Sequence, residues 1–125
     1  MKILLIDDDA FLRDMYTTKF QERGDEIIPV ASGEEALTLL RQDGTYDAVV
    51  TDMVMPGMSG VELLQKTSDE GLVPQAVKVV LSNQSETTDK EAATNSGAHG
   101  YLVKADLVPS QVVEEIHRII GQAQL

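Results

Sequence analysis

The chain has 125 residues, a formal net charge of −11 and no cysteine, which bounds it to one domain and excludes a disulfide framework or a thiolate metal site. So acidic a balance opposes direct binding to nucleic acid phosphates or to an anionic membrane surface. The apolar run after Met1-Lys2 is only four residues long before Asp7, too short for a signal-peptide core or a membrane span, so a cytoplasmic protein with no membrane partner is expected.

Strand-like and helical segments alternate along the chain, the pattern of an α/β sheet with crossover helices. Lys2 to Ile6 reads as the first strand and runs into Asp7-Asp8-Asp9. In the helix that follows, Phe11, Leu12, Met15, Tyr16 and Phe20 span about half the circumference, wider than the ~100° stripe that core packing requires, so part of that face should stay exposed. The second strand, Glu26 to Ala31, contains Pro29, which cannot donate to a ladder and assigns the strand to a sheet edge. Ser32 with Glu35, and Ser59 with Glu62, have the spacing of a serine cap answered by a glutamate and open the second and third helices. Between those helices lies a strand from Asp47 to Thr51, ending at Asp52.

Val77 to Leu81 forms the fourth strand and runs into Ser82. The helix after it, from about Ser85 to Ser96, has no Leu, Ile, Val or aromatic residue and only Ala92 and Ala93 as apolar content; it should bury little, hold its position weakly and be the mobile part of an output surface. The fifth strand, His99 to Val103, leads to Lys104. Pro109 opens the last helix, where a missing N–H costs nothing, and Val112, Val113, Ile116, Ile119 and Ile120 share its buried face. Gly24, Gly44, Gly71 and Gly97 stand where the first four helices should end, since glycine accepts the left-handed conformation that closes a helix. With no linker visible, residues 1–125 read as a single domain with no output domain.

Four of these strands end on a polar residue, and in an open parallel sheet the ligand crevice lies outside the carboxyl ends of the strands. Asp7, Asp8, Asp52, Ser82 and Lys104 are therefore aimed at one place. Two unit charges about 4 Å apart repel by roughly 4 kcal/mol at an effective dielectric near 20, so three converging carboxylates call for a cation. With only oxygen donors nearby, Mg²⁺ fits. Asp52 can then serve as a nucleophile forming an acyl phosphate, with Lys104 sharing the charge on the transferring oxygens and Ser82 donating a hydrogen bond. Asp9 reads as an ordinary solvated loop residue.

These residues together resemble the receiver domains of two-component response regulators. The resemblance runs from Lys2 to about Ile120 and rests on Ile6-Asp7-Asp8-Asp9, on Thr51-Asp52-Met53-Val54-Met55-Pro56-Gly57-Met58-Ser59-Gly60, on Leu81-Ser82-Asn83 and on Gly97-Ala98-His99-Gly100-Tyr101-Leu102-Val103-Lys104. It implies a flavodoxin-like, doubly wound parallel sheet of five strands in the order 2-1-3-4-5 with five helices. It also implies that Asp52 accepts phosphate from a histidine kinase or a histidine phosphotransfer protein. Asp8 and Asp52 would ligate Mg²⁺ through side chains, Asp7 would act close by or through water, and the Val54 carbonyl would complete the protein's share. Ser82 matches the switch hydroxyl, Tyr101 the switch aromatic and Lys104 the phosphate-binding lysine. The changed surface would comprise the fourth helix, fifth strand and fifth helix and would control an unknown downstream protein, in a monomer or a phosphorylation-dependent dimer. Such a domain is not an enzyme on other substrates; it catalyses only its own phosphorylation and dephosphorylation. One departure stands out: Ala105 follows Lys104 where receivers usually have a proline joined by a cis peptide. A cis bond before a non-proline residue costs roughly 2.5–4 kcal/mol, so the loop is either trans or held cis by its surroundings, and the reach of Lys104 depends on it.

Phe11, Asp14 and Met15 are expected to border a kinase-docking surface near the metal site. His99 and His117, far apart and without an obvious pair, read as structural, and Met53, Met55 and Met58 as packing residues. A haloacid-dehalogenase-type phosphatase with Asp7 as nucleophile is a competing reading, but Phe11 stands where that family has a Thr or Val, and the chain is short for a substrate cap. A binding module that has lost phosphorylation is disfavoured by retention of every polar site residue. No glycine-rich phosphate loop follows a strand.

Overall fold

In the computed structural model, which describes residues 1–124, strands and helices alternate as β1 (Lys2–Ile6), α1 (Ala10–Arg23), β2 (Glu26–Val30), α2 (Gly33–Gln42), β3 (Ala48–Thr51), α3 (Gly60–Asp69), β4 (Val77–Ser82), α4 (Thr87–Asn95), β5 (Gly100–Val103) and α5 (Pro109–Ala123), with one 3-10 turn at Lys104–Asp106. The five strands form one parallel sheet in the order β2-β1-β3-β4-β5. Pro29 sits on the edge strand as anticipated, opposite Leu5 in the β1 register.

Alternation along each strand divides the core into two layers. Ile3, Leu5, Val50, Val79 and Leu81 face α1 and α5, meeting Tyr16, Phe20, Val112, Val113, Ile116 and Ile120. Leu4, Ile6 and Val49 face the opposite way onto Ala36, Leu37 and Leu40 of α2 and Leu63 of α3. A smaller cluster of Met53, Leu64, Val80 and Ala93 lies beneath α4. The central strands are buried on both faces, which is why they read as near-continuous apolar runs.

The helices differ in how firmly they are held. α5 buries Val112, Val113, Ile116, Ile119 and Ile120, each contributing roughly 1.5–3 kcal/mol of burial. α4 buries Ala93 alone and has no side-chain cap at its N-terminus. It is also shorter than its sequence pattern, Thr87 to Asn95 rather than Ser85 to Ser96, because none of the residues before Thr87 caps or packs the first turn.

Caps follow the sequence with one exception. The Glu35 N–H donates to Ser32 Oγ (3.2 Å) and the Glu62 N–H to Ser59 Oγ (3.1 Å). Gly24, Gly71 and Gly97 adopt the left-handed conformation. Gly44 does not: α2 is capped by an extended Asp43, whose N–H donates to the Leu39 carbonyl. Asp43 is held there by the Lys2 ammonium and by Thr45, so an ion pair replaces the glycine turn. His117 has a partner that its place in the sequence does not announce: its Nε2 lies 2.7 Å from Asp25 Oδ2, a structural contact tying α5 to the α1–β2 connection.

Candidate acidic phosphoryl site

Each functional side chain leaves its strand where the ladder ends. The last β1 and β3 residues pass hydrogen bonds onward, with the Asp7 N–H donating to the Val30 carbonyl (3.2 Å) and the Asp52 N–H to the Ile6 carbonyl (3.0 Å). Because β1 and β3 are adjacent and in register, Ile6 opposite Thr51, the residues that follow are brought side by side. Asp7, Asp8 and Asp52 each offer a carboxylate oxygen, and these oxygens lie within 4.8 Å of one another.

Lys104 closes the group. Its Nζ donates to Asp7 Oδ2 and to Asp52 Oδ2, both at 2.8 Å. No peptide bond among the described residues is cis, so the Lys104–Ala105 bond is trans, and the lysine reaches the site from the 3-10 turn without the proline. Burial opposes the ammonium charge, but the hydrogen bonds to Asp52 and Asp7 outweigh it and hold the Lys104 pKa above its ordinary value. Burial pushes the Asp7 carboxyl up, offset in part by Lys104 and by the Asp9 N–H.

The three carboxylates are not equivalent. The Asp7 side chain is 2% exposed and Asp52 is 12% exposed, while Asp8 is open to solvent. Asp7 Oδ1 also accepts the Asp9 N–H at 3.0 Å, and Asp9 caps α1 by accepting the Leu12 N–H at 3.1 Å. Of the two carboxylates that Lys104 holds, Asp52 is therefore the one an incoming group can reach.

Asp52 is fixed from behind. Its Oδ1 accepts the Met53 N–H (2.7 Å) and its carbonyl accepts the Thr51 hydroxyl (2.9 Å). Gly60 packs so tightly here that a Cβ would fall 2.1 Å from the Asp52 carbonyl oxygen, and its N–H donates to the Met53 carbonyl (2.8 Å). Val54 follows on this loop with its side chain 60% exposed.

Ser82, buried at the end of β4, accepts the Gln84 N–H at 3.2 Å. Tyr101 lies half-buried against the cluster beneath α4, its hydroxyl donating to the Gln84 carbonyl at 2.6 Å. Burial raises its phenol pKa. Ser82 and Tyr101 thus meet on one loop. On the segments that follow β1, β3 and β5 stand Phe11, 74% exposed on the first turn of α1, and the exposed Val54 and Val108. Asp14 is exposed and Met15 half-buried on α1.

Two participants escaped the reading of the sequence. Gly60 closes the motif that carries the resemblance, but no local signal announces its closeness to Asp52, which is a tertiary contact. Arg13 lies three residues into α1, and nothing in its spacing announces that its Nη1 donates to the Asp7 carbonyl at 2.7 Å.

A parallel 2-1-3-4-5 sheet with five helices, carrying an acidic cluster and a lysine at its carboxyl edge, defines the flavodoxin-like class of receiver signalling domains. The sequence matches the response regulator receiver domain family over residues 3–117, and the chain belongs to that family. It is 34% identical over 103 residues to the probable transcriptional regulator ycf27 of Porphyridium aerugineum, covering 82% of this chain and 41% of that protein. To the DNA-binding response regulator MtrA of Mycolicibacterium paratuberculosis it is 30% identical over 115 residues, 92% of this chain and 49% of the other. Among solved structures it resembles the chemotaxis response regulator CheY4 of Vibrio cholerae, with a TM-score of 0.86 and 26% identity over 94% of this chain and 97% of that one. The chain spans less than half the length of the two curated regulators and nearly all of CheY4. Response regulators receive their signals from histidine kinases, so this is the receiver of a two-component system.

Proposed function

We propose that this receiver accepts a phosphoryl group on Asp52 from a phosphohistidine of a kinase or phosphotransfer protein, in a Mg²⁺-dependent reaction. The observation that carries the reading is the convergence of Asp7, Asp8 and Asp52 beneath the Lys104 ammonium, with Asp52 more open than Asp7. The donor set is all oxygen and strongly anionic, which suits a hard divalent cation. Asp8, Asp52 and the Val54 carbonyl would hold it, with Asp7 close by or through water; bound there, it would neutralise charge on the transferring oxygens.

In the transfer, an Asp52 carboxylate oxygen forms the new bond to phosphorus as the N–P bond to the donor imidazole breaks, and the electron pair leaves with the imidazole. Lys104 exchanges its bond to Asp52 for one to a phosphoryl oxygen while keeping Asp7, so no new charge has to be brought in. Ser82 turns its hydroxyl to the same group, releasing the Gln84 N–H. Tyr101, bonded to the Gln84 carbonyl, shifts with that loop, and the change appears on α4, β5 and α5. The weak anchoring of α4 by Ala93 alone supports its role as the moving part.

Phe11, Asp14 and Met15 form the docking side for the kinase or phosphotransfer protein; the exposed apolar side chains of Val54 and Val108 on neighbouring loops support a partner seated over the site. Residues 1–125 act as one receiver domain whose output is a protein contact rather than direct nucleic acid binding. No helix among the described residues is long and apolar enough to cross a membrane, in keeping with a cytoplasmic setting. The burial and double hydrogen bonding of Asp7 speak against the phosphatase reading, which needs that residue as a free nucleophile.

The test is mass spectrometry after incubation with acetyl phosphate. Addition of one phosphoryl group that needs Mg²⁺ and disappears in Asp52→Asn is the expected result. Turnover of a phosphomonoester abolished by Asp7→Asn but surviving Asp52→Asn would overturn the reading.

A further inference from the structure

Among the described residues, six of the ten Lys and Arg side chains of this acidic chain pair with a carboxylate: Lys2 with Asp43, Lys19 with Glu22, Arg23 with Glu114, Arg41 with Glu70, Lys104 with Asp7 and Asp52, and Arg118 with Glu115. Arg13 behaves differently. Half-buried on α1, and close in sequence to Asp7, Asp8, Asp9 and Asp14, it reaches back to a backbone oxygen, the Asp7 carbonyl, at 2.7 Å.

That carbonyl occupies a particular place. Asp7 is the first residue beyond β1, and its N–H makes the last bond to β2, to Val30. A buried carbonyl without a partner costs of the order of a lost hydrogen bond, and a charged donor supplies a stronger one than water or an amide. Three bonds then lock the connection from β1 to α1: Arg13 to the Asp7 carbonyl, the Asp9 N–H to Asp7 Oδ1, and the Leu12 N–H to Asp9 Oδ1. The second and third are local to the turn. Only Arg13 comes from a full turn inside the helix and ties its body to the residue carrying the buried carboxylate.

We propose that Arg13 is a positioning residue for the acidic pair: its bond to the Asp7 carbonyl sets the direction in which the Asp7 and Asp8 carboxylates face Asp52, and so strengthens divalent cation binding. This rests on the Mg²⁺ reading above. It has a sign that charge alone does not share. A guanidinium bonded to the Asp7 carbonyl repels a second cation brought to the Asp7 side chain, so removing it would tighten Mg²⁺ binding if its charge were what mattered; removing a positioning bond weakens it. Partners that orient metal ligands typically change affinity by about 10–100-fold.

The experiment titrates Mg²⁺ into the wild type, Arg13→Met and Arg13→Lys, following amide chemical shifts of Asp8, Asp9 and Asp52, with stability measured separately by urea unfolding in EDTA. Arg13→Met should bind Mg²⁺ roughly tenfold more weakly, Arg13→Lys should recover most of the loss because its ammonium can donate to the same carbonyl, and the Asp9 amide should exchange faster in Arg13→Met before any metal is added. Unchanged or tighter Mg²⁺ binding by folded Arg13→Met would overturn the proposal, as would a loss of urea stability with the affinity intact. Should Arg13→Met not fold, Arg13→Lys against Arg13→Gln decides in the same way. Failure of the wild type itself to bind Mg²⁺ would instead sink the metal reading on which the proposal stands.

Discussion

Replacing Lys104 by methionine tests the electrostatic logic of the site most directly. Its ammonium lies 2.8 Å from both Asp7 and Asp52, and the three side chains are 7%, 2% and 12% exposed. Removing one partner from a pair this buried costs about 3–5 kcal/mol. The carboxylate oxygens that Lys104 screens lie within 4.8 Å of one another, so each pair repels by roughly 3.5 kcal/mol or more at an effective dielectric near 20, reduced for Asp8 by its exposure. For a domain of this size the loss lowers Tm by roughly 10–20 °C. The assay is thermal unfolding in EDTA and again in Mg²⁺. Because the variant lacks the internal cation, Mg²⁺ should stabilise it more than it stabilises the wild type. The deficit should also shrink at acid pH. The Asp7 carboxyl already has a raised folded pKa, and a carboxyl raised on folding destabilises above that pKa and not below the unfolded one. A variant within about 1 kcal/mol of wild type in EDTA, or a Mg²⁺ effect equal in both, would refute the argument that Lys104 holds the acids together.

Four further outcomes are expected. Gly60→Ala should cost about 1–3 kcal/mol or more from overpacking and lower phosphoryl acceptance, since its Cβ can be accommodated only by moving the Asp52 backbone; Gly100→Ala meets side-chain atoms of Ile119 rather than backbone and should be milder, a contrast readable by urea unfolding. Alanine at Phe11 and Met15 should slow transfer from a cognate kinase while leaving acetyl phosphate labelling intact; loss of neither activity would remove that face from docking. Hydrogen exchange should show α4 less protected than α5, and Tyr101→Phe, which loses the bond to the Gln84 carbonyl, should raise exchange in the loop before α4; equal protection of the two helices would contradict the weak anchoring. The Lys2 hydrogen bond, followed by those from Thr45, depresses the Asp43 carboxyl to about 2. A depressed carboxylate stabilises above its unfolded pKa, about 3.9, and that contribution fades as pH falls through about 2, so Lys2→Met should flatten the acid limb of the stability curve.

Much of this protein is legible without coordinates because the signals are local. Apolar runs buried on both faces, a proline on one strand, two serine caps and the periodicity of α5 define the parallel sheet, its edge and its helices through short-range sterics and burial. The position of Asp7, Asp8, Asp52 and Lys104 immediately after strands pointed to their convergence, since parallel strands deliver their carboxyl ends to one edge; Ser82 ends β4 and accepts the Gln84 N–H instead. Other features depend on residues far apart in the chain. The ion pair that replaces a glycine at the end of α2 joins residues 2 and 43, and the partner of His117 is residue 25. That Lys104 spans two carboxylates without the usual proline, that Asp7 is sealed while Asp52 stays open, and that Gly60 presses on the Asp52 carbonyl all depend on how the β1, β3 and β5 ends and α3 are packed together. Periodicity determines which residues are buried and which strand ends carry charge; distances of 2 to 3 Å between side chains are decided only when the two layers close on the sheet.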